Sequence, residues 1–154
     1  MASVFESIER LLTERGANYR VMRHEPVFTS QEAAQVRGAP LSSGAKALVC
    51  KADDRHVMIV LPADRKLDSR GVRRAEKLSG LRFATREEVA ELTGLAPGSI
   101  PPFGSLFGLP TWCDERLADE PEINFNAGDH AISVCMTYAD YARVENPRIG
   151  RFAE

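Results

Sequence analysis

AKALVCKADDRHVMIVL, residues 45–61, consists of two apolar blocks separated by a polar segment. The blocks, 45–51 and 56–61, are rich in β-branched and apolar residues, which is typical of strands in the interior of a sheet. The segment between them, residues 52–55, is short and polar, as hairpin connections are. We therefore predict two central strands joined by a tight turn.

Capping signals predict helices on both sides of this hairpin. Three segments carry a hydroxyl residue followed three positions later by glutamate, the pattern that caps the first turn of a helix. These pairs are Ser3 with Glu6, Thr29 with Glu32, and Thr85 with Glu88, and the helices are predicted to end at Gly16, Gly38 and Gly94. Further helices are predicted over 69–78 and 137–144, and short strands over 19–24, 111–113, 122–125 and 131–136.

The order of these elements indicates the fold class. Helices and strands alternate irregularly, without the βαβ repetition of a doubly wound sheet, which favours an α+β fold with a largely antiparallel or mixed sheet. Residues 94–110, GLAPGSIPPFGSLFGLP, are too rich in glycine and proline for a regular helix or an interior strand. A connection of this length in a compact domain is more often functional than idle.

Composition and length indicate one soluble domain. The chain has 154 residues, of which 44% are hydrophobic and 27% charged, so a single domain over residues 1–154 is expected. Its apolar runs are far shorter than the roughly 20 residues of a membrane span, and its N-terminus lacks the basic and apolar blocks of a signal peptide. The three cysteines are widely spaced, which indicates neither a disulfide framework nor a zinc site. We expect a cytoplasmic protein with reduced thiols.

The charges are distributed unevenly. The formal net charge of -2 argues against wrapping nucleic acid by bulk electrostatics. Basic residues are nevertheless concentrated between positions 65 and 77, and acidic residues between 114 and 122. The basic residues are Arg65, Lys66, Arg70, Arg73, Arg74 and Lys77. This pattern is consistent with a basic binding face and equally with an ordinary solvated helix face.

Lys46 and two glycine-containing loops are the features that suggest chemistry. Lys46 begins an apolar strand, where its ammonium group could bond a phosphate, a ribose hydroxyl or a developing oxyanion, or could simply face solvent. In loop 98–104 and turn 126–130, glycine allows close approach of a ligand to backbone N–H groups, which could form an oxyanion hole. The second turn ends in His130, which could orient a water or the substrate, or could have no catalytic task.

Several common catalytic and nucleotide-binding motifs are absent from the sequence. It contains no G-x-S-x-G, H-E-x-x-H, Walker A or G-x-G-x-x-G motif, which disfavours metal-dependent and nucleotide-dependent chemistry. No metal site and no cofactor are predicted. Cys50 and Cys113 lie in predicted strands, and a buried structural role is predicted for both.

Five segments occur in an order that resembles one family. They are PVFTSQEAA at 26–34, GAKALV at 44–49, VLPADRKLD at 60–68, G-x-x-x-P at 98–102 and NAGDH at 126–130. Together they resemble the YbaK and prolyl-tRNA synthetase insertion-domain family over about residues 19–144. The resemblance implies a single α+β editing domain with a central curved mixed or antiparallel sheet flanked by helices. It also implies hydrolysis, in trans, of the ester that joins a mischarged amino acid to the 3′ end of tRNA.

The resemblance also implies roles for individual residues. Lys46 matches the family's lysine near the terminal adenosine, and the G-x-x-x-P loop and the turn of His130 match parts of its substrate pocket. The candidate catalytic residues are Lys46, His130, Gly98 and Gly128, and the candidate substrate-binding residues are Thr29, Pro102, Phe103, Gly104 and Asp129. The basic residues of segment 65–77 are candidates for contact with the tRNA acceptor stem. An aminoacyl ester is already activated, so a positioned water and an oxyanion site suffice, and neither a triad nor a metal is required.

One position departs from the family pattern. In alanine-editing members an asparagine follows the lysine, whereas Ala47 follows Lys46 here, so serine, threonine, alanine or another small residue remains open as the amino acid removed. The expected partner is aminoacylated tRNA, with an aminoacyl-tRNA synthetase as a further candidate, and the expected state is a monomer or weak dimer. Two other interpretations stay open: a non-catalytic tRNA-binding or synthetase-accessory module, and a hydrolase of a different small ester or amide.

Overall fold

Five α-helices and eight β-strands are present in the computed structural model, which describes residues 2–154. The helices are α1 (Val4–Glu14), α2 (Ser30–Arg37), α3 (Ser69–Glu76), α4 (Arg86–Thr93) and α5 (Tyr138–Glu145). The strands are β1 (Tyr19–Arg23), β2 (Ala45–Ala52), β3 (Arg55–Pro62), β4 (Leu81–Phe83), β5 (Thr111–Asp114), β6 (Glu122–Asn126), β7 (Ile132–Thr137) and β8 (Arg148–Gly150). None of the helices within residues 2–154 has the length and apolar character needed to cross a membrane.

The strands form two sheets. A five-stranded mixed sheet has the order β4-β2-β3-β5-β8, and a three-stranded antiparallel sheet has the order β1-β7-β6. The two sheets meet where Gly44 and Asn124 form a parallel bridge between the beginning of β2 and β6. Glycine is required there, because a Cβ atom at position 44 would lie 2.9 Å from the Cβ of Ala63. The α+β class is confirmed, while hydrogen bonding divides the expected central sheet into two sheets.

The predicted hairpin is confirmed. β2 and β3 pair from Ala45 with Pro62 to Ala52 with Arg55, so the turn is only two residues long. Asp53 adopts a left-handed conformation in this turn, with φ of 55°, which aspartate tolerates better than most residues. The strands therefore extend one residue further at each end of the turn than the sequence pattern predicts.

β3 is covered on both faces, which explains its continuous apolar run. Met58 and Val60 pack in one core cluster together with α1 and β6. Val57, Ile59 and Leu61 point to the other face and pack in a second cluster with α3. Because both faces of the strand are buried, its sequence does not alternate between polar and apolar residues.

The predicted helix caps form, and one helix end differs from the prediction. Capping boxes are present at Ser3, Thr29 and Thr85. α3 ends at Glu76, before the predicted position 78, because Lys77 adopts the left-handed conformation and the N–H of Leu78 bonds back to the helix. β4 and β8 were not predicted, because a strand of three residues is too short to show a period in its sequence.

The long loop 94–110 is irregular, as predicted, and contains one short 3-10 helix over Gly104–Phe107. α5 holds it in place. The Glu145 carboxylate accepts hydrogen bonds from the backbone and side chain of Ser105, at 3.1 and 2.6 Å, and from the Thr111 hydroxyl at 2.6 Å. The Tyr141 hydroxyl donates to the carbonyl of Pro102 at 2.7 Å. These bonds fix the second half of the loop to α5, and its first residues, Pro102, Phe103 and Gly104, are buried.

Candidate active site

A cavity of about 180 Å³ opens where the two sheets meet. Its walls come from α2, the beginning of β2, the end of β6 and the loop at Gly98. Small side chains line much of it, namely Ala33, Ala34, Ala39, Ala45, Ala47 and Ala63, and the polar uncharged side chains are Thr29, Ser30, Ser43, Asn124 and Asn126. Its charged lining residues are Arg37 and Lys46, and the lining set within residues 2–154 contains no aspartate or glutamate.

Lys46 reaches the cavity from the beginning of β2. The side chain is half-buried, and its Nζ donates a hydrogen bond of 2.8 Å to the carbonyl of Arg65. Burial lowers the pKa of Lys46, an effect that nearby Asp64 partly offsets and Lys66 reinforces. An ammonium group has three N–H donors, so two remain for a ligand. Lys46 is therefore suited to hold an oxygen atom of a substrate.

The two predicted glycine turns contact each other. Gly98 lines the cavity with φ of 93°, and its carbonyl accepts a hydrogen bond of 2.7 Å from the Asn126 side chain. The N–H of Gly128 donates to the carbonyl of Ser99 at 2.8 Å. Because the N–H of Gly128 already has this partner, it is not free to bond an oxyanion in this conformation, and a catalytic role for Gly128 stays a prediction. The N–H of Gly98 has no hydrogen-bond partner among residues 2–154.

His130 lies beside the cavity rather than on its wall. Its Nδ1 is 3.1 Å from the carbonyl of Val27, which can only accept, so this nitrogen carries the proton. The imidazole packs against the ring of Phe28, with centroids 4.8 Å apart, and its Cε1 is 3.4 Å from where a Cβ of Gly98 would be. His130 thus supports two residues that line the cavity. Phe28 itself is 72% exposed.

The remaining candidate substrate-binding residues are dispersed. Thr29 lines the cavity and also caps α2. Pro102, Phe103 and Gly104, also predicted to bind substrate, are buried and are not among the residues that line it. The ring of Phe103 makes edge contacts with Phe125 and Tyr141 in the core, and a Cβ at Gly104 would lie 2.5 Å from the Thr111 hydroxyl.

Asp129 also does not line the cavity. The side chain is exposed and accepts a hydrogen bond of 2.7 Å from the N–H of Ala131, which stabilises the turn. The role of Asp129 in binding substrate stays a prediction.

The basic segment 65–77 begins at the cavity. Ala63 lines the cavity, the carbonyl of Arg65 bonds Lys46, and the chain then continues into α3. Among residues 2–154 there are seven ion pairs, and none of them involves a basic residue of this segment. The exposed members are Lys66, Arg70, Arg73, Arg74 and Lys77. Their charges are therefore available to a partner.

The cysteines of the core are structural. Cys50 and Cys113 are fully buried, and burial raises the pKa of each thiol to about 12. A thiol with so high a pKa is protonated at neutral pH and is a poor nucleophile. No three His, Cys, Asp or Glu side chains come together as a metal-binding group in the described part of the chain.

Arg37, Ser43 and Asn124 line the cavity, although none of them was predicted from the sequence. Arg37 is the last residue of α2, where a basic side chain normally compensates the helix dipole. Asn124 is in β6, and its amide donates to the Ser43 hydroxyl at 3.1 Å. These positions became recognisable only when the pairing of the strands brought β6 beside β2.

Comparisons with known proteins identify relatives of this chain. The family model described as aminoacyl-tRNA editing domain matches residues 24–144. The chain is 40% identical over 149 residues to the multifunctional Ser/Thr-tRNA deacylase ProXp-y of Escherichia coli strain K12, which covers 92% of this chain and 88% of that protein. It is 35% identical over 82 residues to a proline–tRNA ligase of Bacillus licheniformis, which covers 53% of this chain and 14% of the ligase. The solved structure of a candidate trans-editing enzyme for prolyl-tRNA synthetase has a TM-score of 0.87 and 28% identity, covering 100% of this chain and 99% of the other.

Proposed function

Because the chain belongs to the aminoacyl-tRNA editing domain family and is a hydrolase of aminoacyl-tRNA, we propose that it removes wrongly attached serine or threonine from tRNA in trans. The observation that carries this proposal is the cavity at the junction of the sheets, where Lys46 and Gly98 stand on the wall together with hydroxyl and amide side chains. Charged tRNA is made and used where translation takes place, so the cytoplasm is the proposed location and aminoacylated tRNA the partner.

The proposed chemistry is ester hydrolysis without a covalent enzyme intermediate. Two N–H donors of Lys46 and the N–H of Gly98 are available to the ester oxygen and to the 3′ end of the tRNA. A wall with two cations and no carboxylate favours the parts of the substrate that carry or develop negative charge, which are the phosphates and the oxyanion. The attacking water needs only to be positioned, and a neighbouring ribose hydroxyl of the tRNA can assist it.

The residues that line the cavity also support serine and threonine as the amino acids that are removed. Alanine at positions 33, 34 and 47 leaves room along part of the wall, while Thr29, Ser43 and Asn124 provide hydrogen-bond partners for a hydroxyl side chain. The most similar relative named above is described as acting on Ser-tRNA and Thr-tRNA. At the mouth of the cavity, the exposed ring of Phe28 offers a flat surface on which a terminal base can stack.

Deacylation of a panel of charged tRNAs tests the proposal. Transfer RNAs charged with Ser, Thr, Ala, Cys and Pro are incubated with the protein in EDTA, and the remaining ester is measured over time. We expect rapid loss of Ser and Thr, slower loss of Ala, and retention of correctly attached Pro. Binding of tRNA without loss of any aminoacyl ester would indicate a non-catalytic module. Equal turnover of tRNA esters and small model esters would indicate a hydrolase of another substrate.

Charge reversal in α3 tests the proposed tRNA contact. Arg73→Glu with Arg74→Glu is expected to weaken tRNA binding by about tenfold or more and to flatten its salt dependence, because phosphate contacts release counterions. Binding is measured by fluorescence anisotropy at several salt concentrations. The matched control is Arg10→Glu with Arg15→Glu, which makes the same charge change at exposed positions in and after α1. Equal weakening by both pairs would show that net charge, and not this segment, determines binding.

A further inference from the structure

Arg37 is partly buried and has no carboxylate partner among residues 2–154. Its Nε donates to the Ser133 hydroxyl at 2.8 Å, its Nη2 donates to the Asn126 side-chain carbonyl at 2.9 Å, and none of the ion pairs within residues 2–154 includes it. Burial lowers the pKa of Arg37 to about 10, so the guanidinium still carries its charge at neutral pH. Burying a charge without a counter-ion is costly, and most buried arginines are paired with an acid.

The hydroxyl of Ser133 extends this arrangement away from the cavity. Arg37 can only donate, so the oxygen of Ser133 accepts from it, and the hydroxyl hydrogen is free to bond His24. The Nε2 of His24 lies 2.7 Å from this oxygen, and its Nδ1 lies 2.7 Å from the carbonyl of Glu25. The Ser133 hydroxyl thus holds the guanidinium of Arg37 on the side away from the cavity, and this orients its Nη2 toward Asn126.

Asn126 connects Arg37 to the cavity wall. Because Arg37 can only donate, the carbonyl oxygen of the Asn126 amide must face it, and the amide NH₂ must face the other way. In that direction it donates to the carbonyl of Gly98 at 2.7 Å. The adjoining carbonyl, of Ser99, is held by the N–H of Gly128. The backbone at Gly98 and Ser99 is therefore held by the side chain of Asn126 and the N–H of Gly128.

We propose that Arg37 and Asn126 are positioning residues of the deacylase, which hold the backbone of Gly98 on the cavity wall through the contacts Arg37 to Asn126 to Gly98. Asparagine stands where a counter-ion to Arg37 would be expected, and its amide can accept from the guanidinium and donate to the Gly98 carbonyl at the same time, which a carboxylate cannot do. An aspartate there would pair with Arg37 but would have no N–H for Gly98. The inference rests on the proposed function, since it assigns these residues to that reaction.

Asn126→Asp separates stability from activity. The new carboxylate pairs with Arg37, so we expect the melting temperature to be unchanged or higher. It also faces the Gly98 carbonyl without a donor, so we expect kcat for Ser-tRNA hydrolysis to fall by roughly 10- to 100-fold with little change in KM. Amide exchange at Ser99 and Gly128, whose N–H groups are hydrogen-bonded in this segment, should become faster when it is followed by NMR. Full kcat with unchanged exchange in this variant would overturn the proposal.

A mutant cycle tests whether Arg37 acts through Asn126. Arg37→Lys keeps the charge but loses the planar fork, and we expect it to lower kcat by about tenfold in the native background and hardly at all in an Asn126→Ala background. Additive losses would contradict the connection and indicate separate roles. Gln35→Ala, at an exposed position of the same helix, is the matched control and should leave kcat unchanged.

The two proposals fail in different ways. If the native protein hydrolyses none of the charged tRNAs, the proposed function is wrong and the positioning role falls with it. If the native protein is active and Asn126→Asp is equally active, the function stands and only the positioning role is wrong.

Discussion

Lys46→Ala is expected to lower kcat/KM for Ser-tRNA hydrolysis by about 100- to 1000-fold, the range typical for loss of one oxyanion donor. The reason is that Lys46 is one of two cations on the cavity wall, and the other, Arg37, already donates to Ser133 and Asn126 through its Nε and Nη2. An alanine leaves no side-chain donor near the carbonyl of Arg65. Single-turnover deacylation of Ser-tRNA and Thr-tRNA measures the effect.

Two control variants distinguish loss of chemistry from loss of structure. Lys51→Ala lies on the same strand, five positions further on, and lines no part of the cavity, so its deacylation rate should match that of the native protein. Lys46→Arg keeps the charge with a different shape and should retain an intermediate rate. A Lys46→Ala protein that keeps both its fold and its full rate would exclude Lys46 from the reaction.

Asp114→Ala is expected to lower the free energy of unfolding by about 3–5 kcal/mol, because it breaks a buried ion pair by removing one partner. Asp114 is fully buried and accepts hydrogen bonds from Arg116, including one of 3.1 Å from its Nε. It also accepts from the N–H groups of Phe152 and Ala153, at 2.8 and 2.7 Å, and so fixes the C-terminal segment against the core. Alanine leaves all of these donors without an acceptor.

Urea unfolding monitored by circular dichroism measures this loss. Asp119→Ala is the control, since Asp119 is exposed and its replacement should change the free energy of unfolding by less than about 0.5 kcal/mol. A loss below about 1 kcal/mol for Asp114→Ala would mean that the C-terminal segment is held mainly by the packing of Phe152 on Trp112, whose rings are stacked 5.7 Å apart.

Asp114 is also expected to make the stability of the fold sensitive to acid. Burial raises the pKa of Asp114, but the hydrogen bonds from Arg116, Phe152 and Ala153 outweigh it and hold the pKa below its ordinary value. A carboxyl whose pKa is lower in the folded state stabilises the fold above its unfolded pKa, near 3.9, and this contribution is lost as the pH falls through the folded value. The stability difference between the native protein and Asp114→Asn should therefore be constant near neutral pH and shrink below about pH 4.

Local features of the fold could be predicted because they depend on neighbouring residues. The capping boxes at Ser3, Thr29 and Thr85 and the hairpin of residues 45–61 all formed. Each depends on contacts within a few positions along the chain, which composition and spacing report directly. The family was also recognisable, because its segments occur in a fixed order along the chain.

The full set of residues around the cavity could not be predicted, because the cavity is formed by residues that are distant in the sequence. Lys46, Gly98 and Thr29 were predicted and lie at the cavity, but their neighbours Arg37 and Asn124 were not predicted. Phe103 was predicted to bind substrate and instead packs in the core, because the loop folds back against α5. A glycine-rich and proline-rich sequence indicates an irregular loop without showing which of its residues face inward.

The sequence by itself determined the fold class and the family, since these follow from local patterns and their order, and it predicted Lys46 as a catalytic residue. Only the tertiary structure decided that β6 lies beside β2, and with it that Asn126 reaches both Arg37 and Gly98. The physical reason is that a hydrogen bond between residues 89 or 28 positions apart leaves no periodic trace in the chain, because it depends on the packing of the two sheets against each other.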